Sequence, residues 1–179
     1  MSSATMPHDS SSRRLAIVEE HVRRENAHDL EGVIATFGDT ARYDDEPWDM
    51  HYTGRDQVRE FYRQLMAALP DLSIEIVRRH VAAETIVLEV VIRGTHLGSW
   101  RGLPATAKKV EIPLCGVYTF GADDRLAGEK IYYDRATVLR QLGVLHEPQT
   151  VLGAINTVLA HPVTMAQALT RKLLGTRQS

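Results

Sequence analysis

The spacing of apolar residues changes at Pro70, and this change restricts the chain to few architectures. Before Pro70, apolar side chains recur at steps of three and four, which is the period of a helix. They are Val58, Phe61, Leu65 and Leu69, and Pro70 ends the helix. After Pro70, β-branched and other apolar residues alternate with polar ones, as they do in strands. The pattern predicts helices followed by a run of antiparallel strands, which is the α+β class.

Further elements follow from the same periodicity. Helices are predicted after an N-cap at Ser11 or Ser12 and around 33–37, with a short strand over 41–45. Long strands are predicted over 72–81, 85–96, 109–120 and 126–133, and a closing helix over 134–142. A sheet of this length twists, so we expect a cone-shaped, curved sheet wrapped around the helices, with a pocket on its concave side.

The chain divides into three predicted segments. Residues 1–12 are polar and Ser-rich and are predicted to be a disordered lead-in, followed by one domain over 13–145. Residues 146–179 form a helical C-terminal extension of two amphipathic helices that Pro162 separates. The extension is either an arm that packs on this or a neighbouring subunit, or a membrane-surface helix. Its few aromatic anchors favour packing.

Composition excludes several classes of protein. The net charge of −2 argues against a nucleic-acid partner, because such proteins carry a basic face. No apolar run reaches the roughly 18 residues of a spanning helix, so no stable membrane insertion is expected. Cys115 is the only cysteine, which excludes an internal disulfide and fits a reducing compartment. The expected location is the cytoplasm.

The common cofactor and nucleophile motifs are missing from the sequence. There is no Gly-rich phosphate loop, no Cys-x-x-Cys, no Gly-x-Ser-x-Gly and no His-Glu-x-x-His. The eight histidines do not cluster at metal-ligand spacing, so no metal and no cofactor are predicted. Any chemistry would therefore depend on polar side chains in the pocket, with a hydrophobic small molecule as the expected ligand.

Asp134 and His96 are the candidate catalytic residues. Asp134 lies where the last strand becomes a helix, so it is either a helix N-cap or a carboxyl at the mouth of an apolar pocket. His96 ends an apolar strand, where a histidine is either structural or functional. Adjacent strands could bring the two within hydrogen-bonding reach, and such a pair can transfer a proton.

The segment 43–52 is the candidate pocket rim. It holds three aromatic residues and four acidic ones in ten positions, as an acidic surface turn or as a rim. In the second case, Trp48 and Tyr52 would stack on a ring-shaped ligand and Asp45 would hydrogen-bond within the pocket. The pattern does not distinguish Asp45 from Asp44 and Asp49 as the inward-facing carboxyl.

Two tyrosines on the long strands complete the candidate ligand-binding set. Tyr118 and Tyr132 either pack in the core or turn their hydroxyls into the pocket.

Three stretches resemble the SnoaL-like polyketide cyclases of the nuclear-transport-factor-2-like superfamily. Residues 95–106 (THLGSWRGLPAT) are similar to that family's His-x-Gly…Gly-x-x-Pro-Thr-Gly stretch, and Trp100 within them joins the candidate ligand-binding residues. Residues 134–143 (DRATVLRQLG) are similar to its terminal Asp…Leu-x-Gln-Leu-Gly. Residues 54–62 (GRDQVREFY) match the helix after its first strand.

The resemblance implies a cone-shaped α+β barrel, often dimeric through its sheets, which works without a cofactor. It implies ring closure by intramolecular aldol condensation with an aspartate as acid/base, at the position of Asp134 beside His96. The related ketosteroid isomerases and epoxide hydrolases share the shape, so we expect cyclisation, isomerisation or hydration of a small apolar carbonyl or polyketide-like compound. The alternatives are a non-catalytic binding protein for hydrophobic small molecules and an interaction protein whose arm is the C-terminal helices.

Overall fold

The computed structural model describes residues 7–175 and the side chains of residues 10–172. Contacts divide the chain into two compact units, the first ending at Leu142 and the second beginning at Gly143. Residues 1–6 of the predicted lead-in lie outside the described residues. The rest of that lead-in is helical, because the first helix begins at Pro7, ahead of the predicted cap at Ser11 or Ser12.

Four helices belong to the first unit. They are α1 (Pro7–Asn26), α2 (Leu30–Thr36), α3 (Arg55–Ala68) and α4 (Arg135–Gln141). Asp29 begins α2 by accepting a hydrogen bond from the backbone N–H of Gly32 at 2.9 Å. Pro70 follows the end of α3, as the sequence predicts.

Six strands form one curved, unclosed sheet. They are β1 (Phe37–Asp45), β2 (Met50–Thr53), β3 (Ser73–Val81), β4 (Thr85–Thr95), β5 (Lys109–Phe120) and β6 (Leu126–Tyr133). Their order across the sheet is β2-β1-β6-β5-β4-β3. Helices and sheet together confirm the α+β class.

Two features of the sheet differ from the sequence prediction. The first is β2, which was predicted to be loop. A short 3-10 turn at Glu46–Trp48 and a left-handed Asp49 (φ 51°) return the chain antiparallel to β1. The second is the pairing of β1 with β6, which is parallel rather than antiparallel.

The core lies between the concave face of the sheet and helices α1, α2 and α3. Side chains alternate between the two faces of each strand, so every second strand residue points to the core. The fully buried members include Val33 and Ile34 on α2, Val58 on α3, and Ile86 and Leu88 on β4. Each such side chain stabilises the fold by about 1.5–3 kcal/mol.

The second unit consists of two helices, α5 (Val151–Ala160) and α6 (Pro162–Gly175). Thr150 caps α5, since its hydroxyl accepts from the backbone N–H of Gly153 at 3.0 Å. Pro162 is the first residue of α6, a position where its missing N–H costs nothing. Within residues 7–175, no helix combines the length and the apolar character that a bilayer crossing requires.

Candidate active site

An apolar cavity lies between the concave face of the sheet and helices α3 and α4. Most of its lining is aliphatic or aromatic, and the polar members are Asp45, His96 and two tyrosines. The lining residues are Tyr43, Asp45, Phe61, Leu65, Leu69, Ile92, His96, Trp100, Val110, Ile112, Leu114, Ile131, Tyr133, Val138 and Leu142. The cavity volume is about 60 Å³. One water needs about 10–15 Å³ on this scale, so the cavity has room for a few water molecules.

Strand alternation explains why these polar groups face the cavity. Tyr43 and Asp45 lie two residues apart on β1, and Ile131 and Tyr133 lie two apart on β6, so each pair shares the concave face. Asp45 lies beside Ile131 in the parallel register of the two strands. The carboxyl therefore stands at the end of β1 among apolar neighbours.

Asp45 is a buried carboxyl with one free oxygen. Only 1% of the residue is exposed. Its Oδ2 accepts from Arg101 Nη2 at 2.5 Å, whereas Oδ1 has no hydrogen-bond partner within the part of the chain that the structure describes. Burial raises the pKa of Asp45 above its ordinary value, and Arg101, Tyr133 and Arg135 offset part of that rise. An acid/base group needs such a raised pKa to work near neutral pH.

Arg101 reaches Asp45 from the tip of a tight turn. Trp100 and Leu103 exchange two backbone hydrogen bonds of 3.0 and 2.8 Å, and Arg101 and Gly102 between them both have positive φ. The Arg101 side chain folds inward and is only 4% exposed. Its Nη1 donates to the Tyr52 hydroxyl at 2.5 Å. A cation is thus buried beside the cavity with Asp45 as its counter-ion.

His96 supplies a hydrogen-bond donor to the cavity. The residue is 2% exposed, and burial lowers its pKa, so the neutral ring is favoured. Its Nδ1 accepts from the backbone N–H of Thr106 at 3.3 Å, and the Thr106 hydroxyl lies 3.1 Å from the same nitrogen. The proton of the neutral ring is therefore on Nε2. That atom is buried, and no described residue makes a hydrogen bond with it.

All four buried side-chain polar atoms that lack a partner among the described residues belong to this region. They are Asp45 Oδ1, Trp48 Nε1, His96 Nε2 and Arg101 Nε. Each such group costs roughly 1–3 kcal/mol when it stays unpaired. Their concentration in one place marks a functional site rather than a packing defect.

The model of one protein family matches residues 16–142, which is well over half of the chain. That family is the SnoaL-like polyketide cyclases. The chain belongs to the SnoaL-like polyketide cyclase family. No curated protein matches it in sequence.

Solved structures share the fold of this SnoaL-like chain. A protein from Jannaschia sp. CCS1, assigned as a SnoaL-like polyketide cyclase, has a TM-score of 0.69 at 17% identity, covering 76% of this chain and 95% of that one. A Catenulispora acidiphila protein with a ketosteroid isomerase-like fold has a TM-score of 0.60 at 19% identity, covering 72% and 92%. The epoxide hydrolase/cyclase-like enzyme SalBIII, with a role in pyran ring formation in salinomycin, has a TM-score of 0.61 at 18% identity, covering 74% and 97%.

Asp134 is not in the cavity of this SnoaL-like domain, which corrects the prediction that placed it beside His96. Its Oδ1 accepts from the backbone N–H of Ala136 at 2.8 Å, and its Oδ2 accepts from the Thr137 hydroxyl at 2.5 Å. The side chain is 60% exposed, and these hydrogen bonds lower its pKa. Of the two interpretations, the helix N-cap is the one that the geometry supports.

Tyr132 and Tyr118 also lie outside the cavity lining, contrary to the pocket interpretation. Tyr132 is on the convex face of β6 and is 47% exposed, because the odd-numbered neighbour Tyr133 takes the inward position. Tyr118 is buried in the core, in a polar network around Glu129. Core packing, the other interpretation of Tyr118, agrees with this position.

The remaining candidate residues lie in or behind the cavity wall. Trp100 lines the cavity directly. Tyr52 lies behind Phe61 (ring centroids 5.2 Å apart) and binds Arg101. Trp48 lines an outer groove, with the Arg135 guanidinium 5.0 Å from its ring centroid.

The structure separates the three acidic residues of the rim. Asp45 faces the cavity. Asp44 points to the opposite face, where both Arg42 Nε and His51 Nδ1 bind it, and the side chain of Asp49 is 97% exposed. The alternation of a strand predicts that Asp44 and Asp45 face opposite ways, but not which of them faces inward.

Two residues of the candidate site were missed by the sequence prediction, Tyr133 and Arg101. Tyr133 could have been found from the register of β6, since it shares a face with Ile131. Arg101 precedes a glycine in a turn, which is typical of a surface residue, and only the tertiary structure shows that it is buried. Among the described residues, no three His, Cys, Asp or Glu side chains are grouped so that they could hold a metal ion.

Proposed function

We propose that this SnoaL-like chain is a cofactor-free acid/base enzyme of the cyclase/isomerase type, acting on a small apolar carbonyl compound. The single observation that supports it best is the free Oδ1 of Asp45, a buried carboxylate oxygen at an apolar cavity. Family membership and the fold shared with cyclase-like and isomerase-like proteins agree with this class of reaction.

In the proposed reaction, Asp45 is the base. Its free oxygen takes a proton from the carbon next to the substrate carbonyl. The His96 Nε2–H donates a hydrogen bond to the carbonyl oxygen and stabilises the enolate that forms. The enolate carbon then attacks a second carbonyl in the same molecule, which closes a ring, and Asp45 returns its proton to the alkoxide that forms. In a β,γ-unsaturated ketone, the γ-carbon of the dienolate instead takes that proton from Asp45, which isomerises the substrate.

The size of the cavity bears on the substrate. A cavity of about 60 Å³ is well below the roughly 300–1,000 Å³ of pockets that hold drug-sized ligands. A compound of one or two rings would enter only as the lining side chains move. We therefore propose a small carbonyl compound rather than a large polycyclic one, and graded probes can test this.

Deuterium exchange tests the proposal without knowledge of the natural substrate. Cyclopentanone, cyclohexanone and 2-tetralone are incubated with the protein in D2O, and loss of the α-proton signal is followed by NMR. The wild-type protein is expected to accelerate exchange above the buffer rate. Asp45→Asn is expected to lower that acceleration by about 100-fold or more, since a positioned general base contributes about 10²–10⁴.

Asp134→Asn is the matched control, because it changes an exposed aspartate that caps a helix. It should leave the exchange rate unchanged. Equal exchange rates in wild type and Asp45→Asn would contradict the proposal. If the wild-type protein binds the ketones, seen as NMR shifts, but does not exchange them, the chain is a non-catalytic binding protein instead.

A further inference from the structure

The Arg101 side chain is enclosed by aromatic rings and hydrogen-bond partners, although the residue lies at the tip of a turn. The guanidinium carbon lies 4.5 Å from the ring centroid of Trp100 and 5.7 and 5.8 Å from those of Phe61 and Tyr52. One terminal nitrogen binds Tyr52 and the other binds Asp45. Cation–π contacts and hydrogen bonds together hold the planar fork of the side chain in one orientation.

The pairing occupies only one oxygen of the carboxylate. An arginine often binds both oxygens of a carboxylate in a bidentate arrangement. Instead, its second terminal nitrogen goes to Tyr52, and Asp45 Oδ1 stays free. The geometry therefore supplies a charge partner without blocking the oxygen that would accept a proton.

We propose that Arg101 is a positioning residue, which keeps Asp45 as a carboxylate in the apolar cavity and turns its Oδ1 toward the substrate. This role presupposes that Asp45 is the proton acceptor of the proposed function. Arg101 acts through Asp45 and is not assigned a contact with the substrate.

Other ionisable groups also act on Asp45. Tyr133 at the end of β6 and Arg135 at the start of α4 lower the pKa of the carboxyl, and Tyr43 on β1 shares the cavity lining. Arg101 has the largest lowering effect after the opposing effect of burial. Arg135 is the natural control, since it is a second cation near Asp45 that acts on the carboxyl through its charge alone.

The test is a titration of Asp45 by carbon-13 NMR, with protein labelled at the aspartate carboxyl carbons and the Asp45 signal assigned by its loss in Asp45→Asn. Arg101→Met is expected to raise the Asp45 midpoint by at least about one pH unit, a tenfold change in proton affinity. Arg135→Met should raise it by a smaller amount. The acidic limb of the pH profile of ketone exchange should move to higher pH in the same variant.

Arg101→Lys keeps the charge but loses the planar fork. This variant replaces Arg101→Met in the titration if near-ultraviolet circular dichroism shows that Arg101→Met does not fold. In Arg101→Lys, the titration midpoint of Asp45 is expected to rise by about half a pH unit, because an ammonium does not bind two partners in the way that the planar guanidinium does. An unchanged midpoint in either folded variant overturns the proposal, as does a larger shift in Arg135→Met than in Arg101→Met.

The titration needs no substrate, so the two proposals fail separately. A shifted midpoint without ketone exchange would uphold the role of Arg101 and contradict the proposed reaction. Exchange that depends on Asp45, combined with an unshifted midpoint, would uphold the reaction and contradict the role of Arg101.

Discussion

A network of ionisable side chains is buried in the core of the first unit, outside the lining of the cavity. His21 Nε2 lies 2.9 Å from the Tyr62 hydroxyl and 3.3 Å from Glu129 Oε2, and the same nitrogen lies 3.6 Å from Glu25 Oε2. The Tyr62 hydroxyl donates to Glu129 at 2.5 Å. These four residues come from α1, α3 and β6, so the network joins two helices to the sheet.

The pKa values of this network predict how stability depends on pH. Burial raises the pKa of Glu25 from 4.5 to about 8, with His21 lowering it and Glu129 raising it further. The carboxyls of Glu25 and Glu129 raise the pKa of His21 against the effect of burial. Both groups hold protons more tightly when folded, so their contribution to the free energy of unfolding should fall as pH rises from about 4.5 to about 8.

Glu25→Gln tests this dependence at the residue scale. Glutamine resembles the protonated acid, so we expect nearly equal stability at pH 5 and a more stable variant at pH 9. The measurement is urea denaturation of both proteins at each pH. Glu84→Gln changes an exposed glutamate between β3 and β4 and should leave the pH dependence unchanged. A wild-type protein that gains stability from pH 5 to pH 9 would contradict the assignment.

Single residues were the hardest feature to predict from the sequence. Asp45 and Asp134 both follow or end a strand, and local sequence does not show which carboxyl is enclosed. Asp134 has Thr137 three residues later and caps its own helix, whereas Asp45 is enclosed by Arg101, 56 positions away in the chain. The apolar strand before His96 made its burial one of the possible outcomes. Its free nitrogen depends on Thr106, which only the folded loop places.

At the scale of elements, the hydrophobic period predicted most of the fold. The alternation after Pro70 gave the four long strands, because a half-buried strand needs an apolar residue at every second position. It could not give β2, whose four residues have no buried member and whose pairing depends on the turn at Glu46–Trp48. The parallel contact of β1 with β6 also has no local signal, since it joins segments about 80 residues apart.

The loop after β4 is the element that carries His96 and Arg101, and Gly98 fixes it to α3. The backbone N–H groups of Leu97 and Gly98 donate to the Ala68 carbonyl at 2.9 and 3.2 Å. A Cβ at position 98 would lie 2.2 Å from the Ala67 carbonyl oxygen. The obstacle is backbone, which cannot turn aside as a flexible side chain would.

We therefore expect Gly98→Ala to lower the free energy of unfolding by about 2–3 kcal/mol, as an overpacked site does. Gly102→Ala is the matched control in the same loop. Its φ of 78° strains an alanine by about 1 kcal/mol, but among the described residues no atom beyond its two chain neighbours lies within 4 Å of the added Cβ. Chemical denaturation of both variants checks the order. A Gly102→Ala variant less stable than Gly98→Ala would show that the contact with α3 does not fix the loop.

At the scale of the whole molecule, the first unit has the means to fold without the second. Among the described residues, every apolar side chain of the buried core lies at or before Leu142. The family match also ends at residue 142. A chain that ends at Gly143 should therefore unfold cooperatively, with a Tm within about 4 °C of the full chain, a difference of about 1 kcal/mol. Differential scanning calorimetry measures both, and a shortened chain without a cooperative transition would refute independent folding.

The same shortened chain tests how copies of the protein associate. Resemblance to the family predicts a homodimer formed through the sheets, and such a dimer should persist without residues 144–179. The alternative is the predicted arm, because Val151, Leu152 and Ile155 of α5 are each at least half exposed and exposed apolar side chains can mark an interface. Light scattering after size-exclusion chromatography separates the two. A dimer in both chains supports the sheet, whereas a dimer that becomes monomeric on shortening assigns association to the helices, and a monomeric full chain contradicts both.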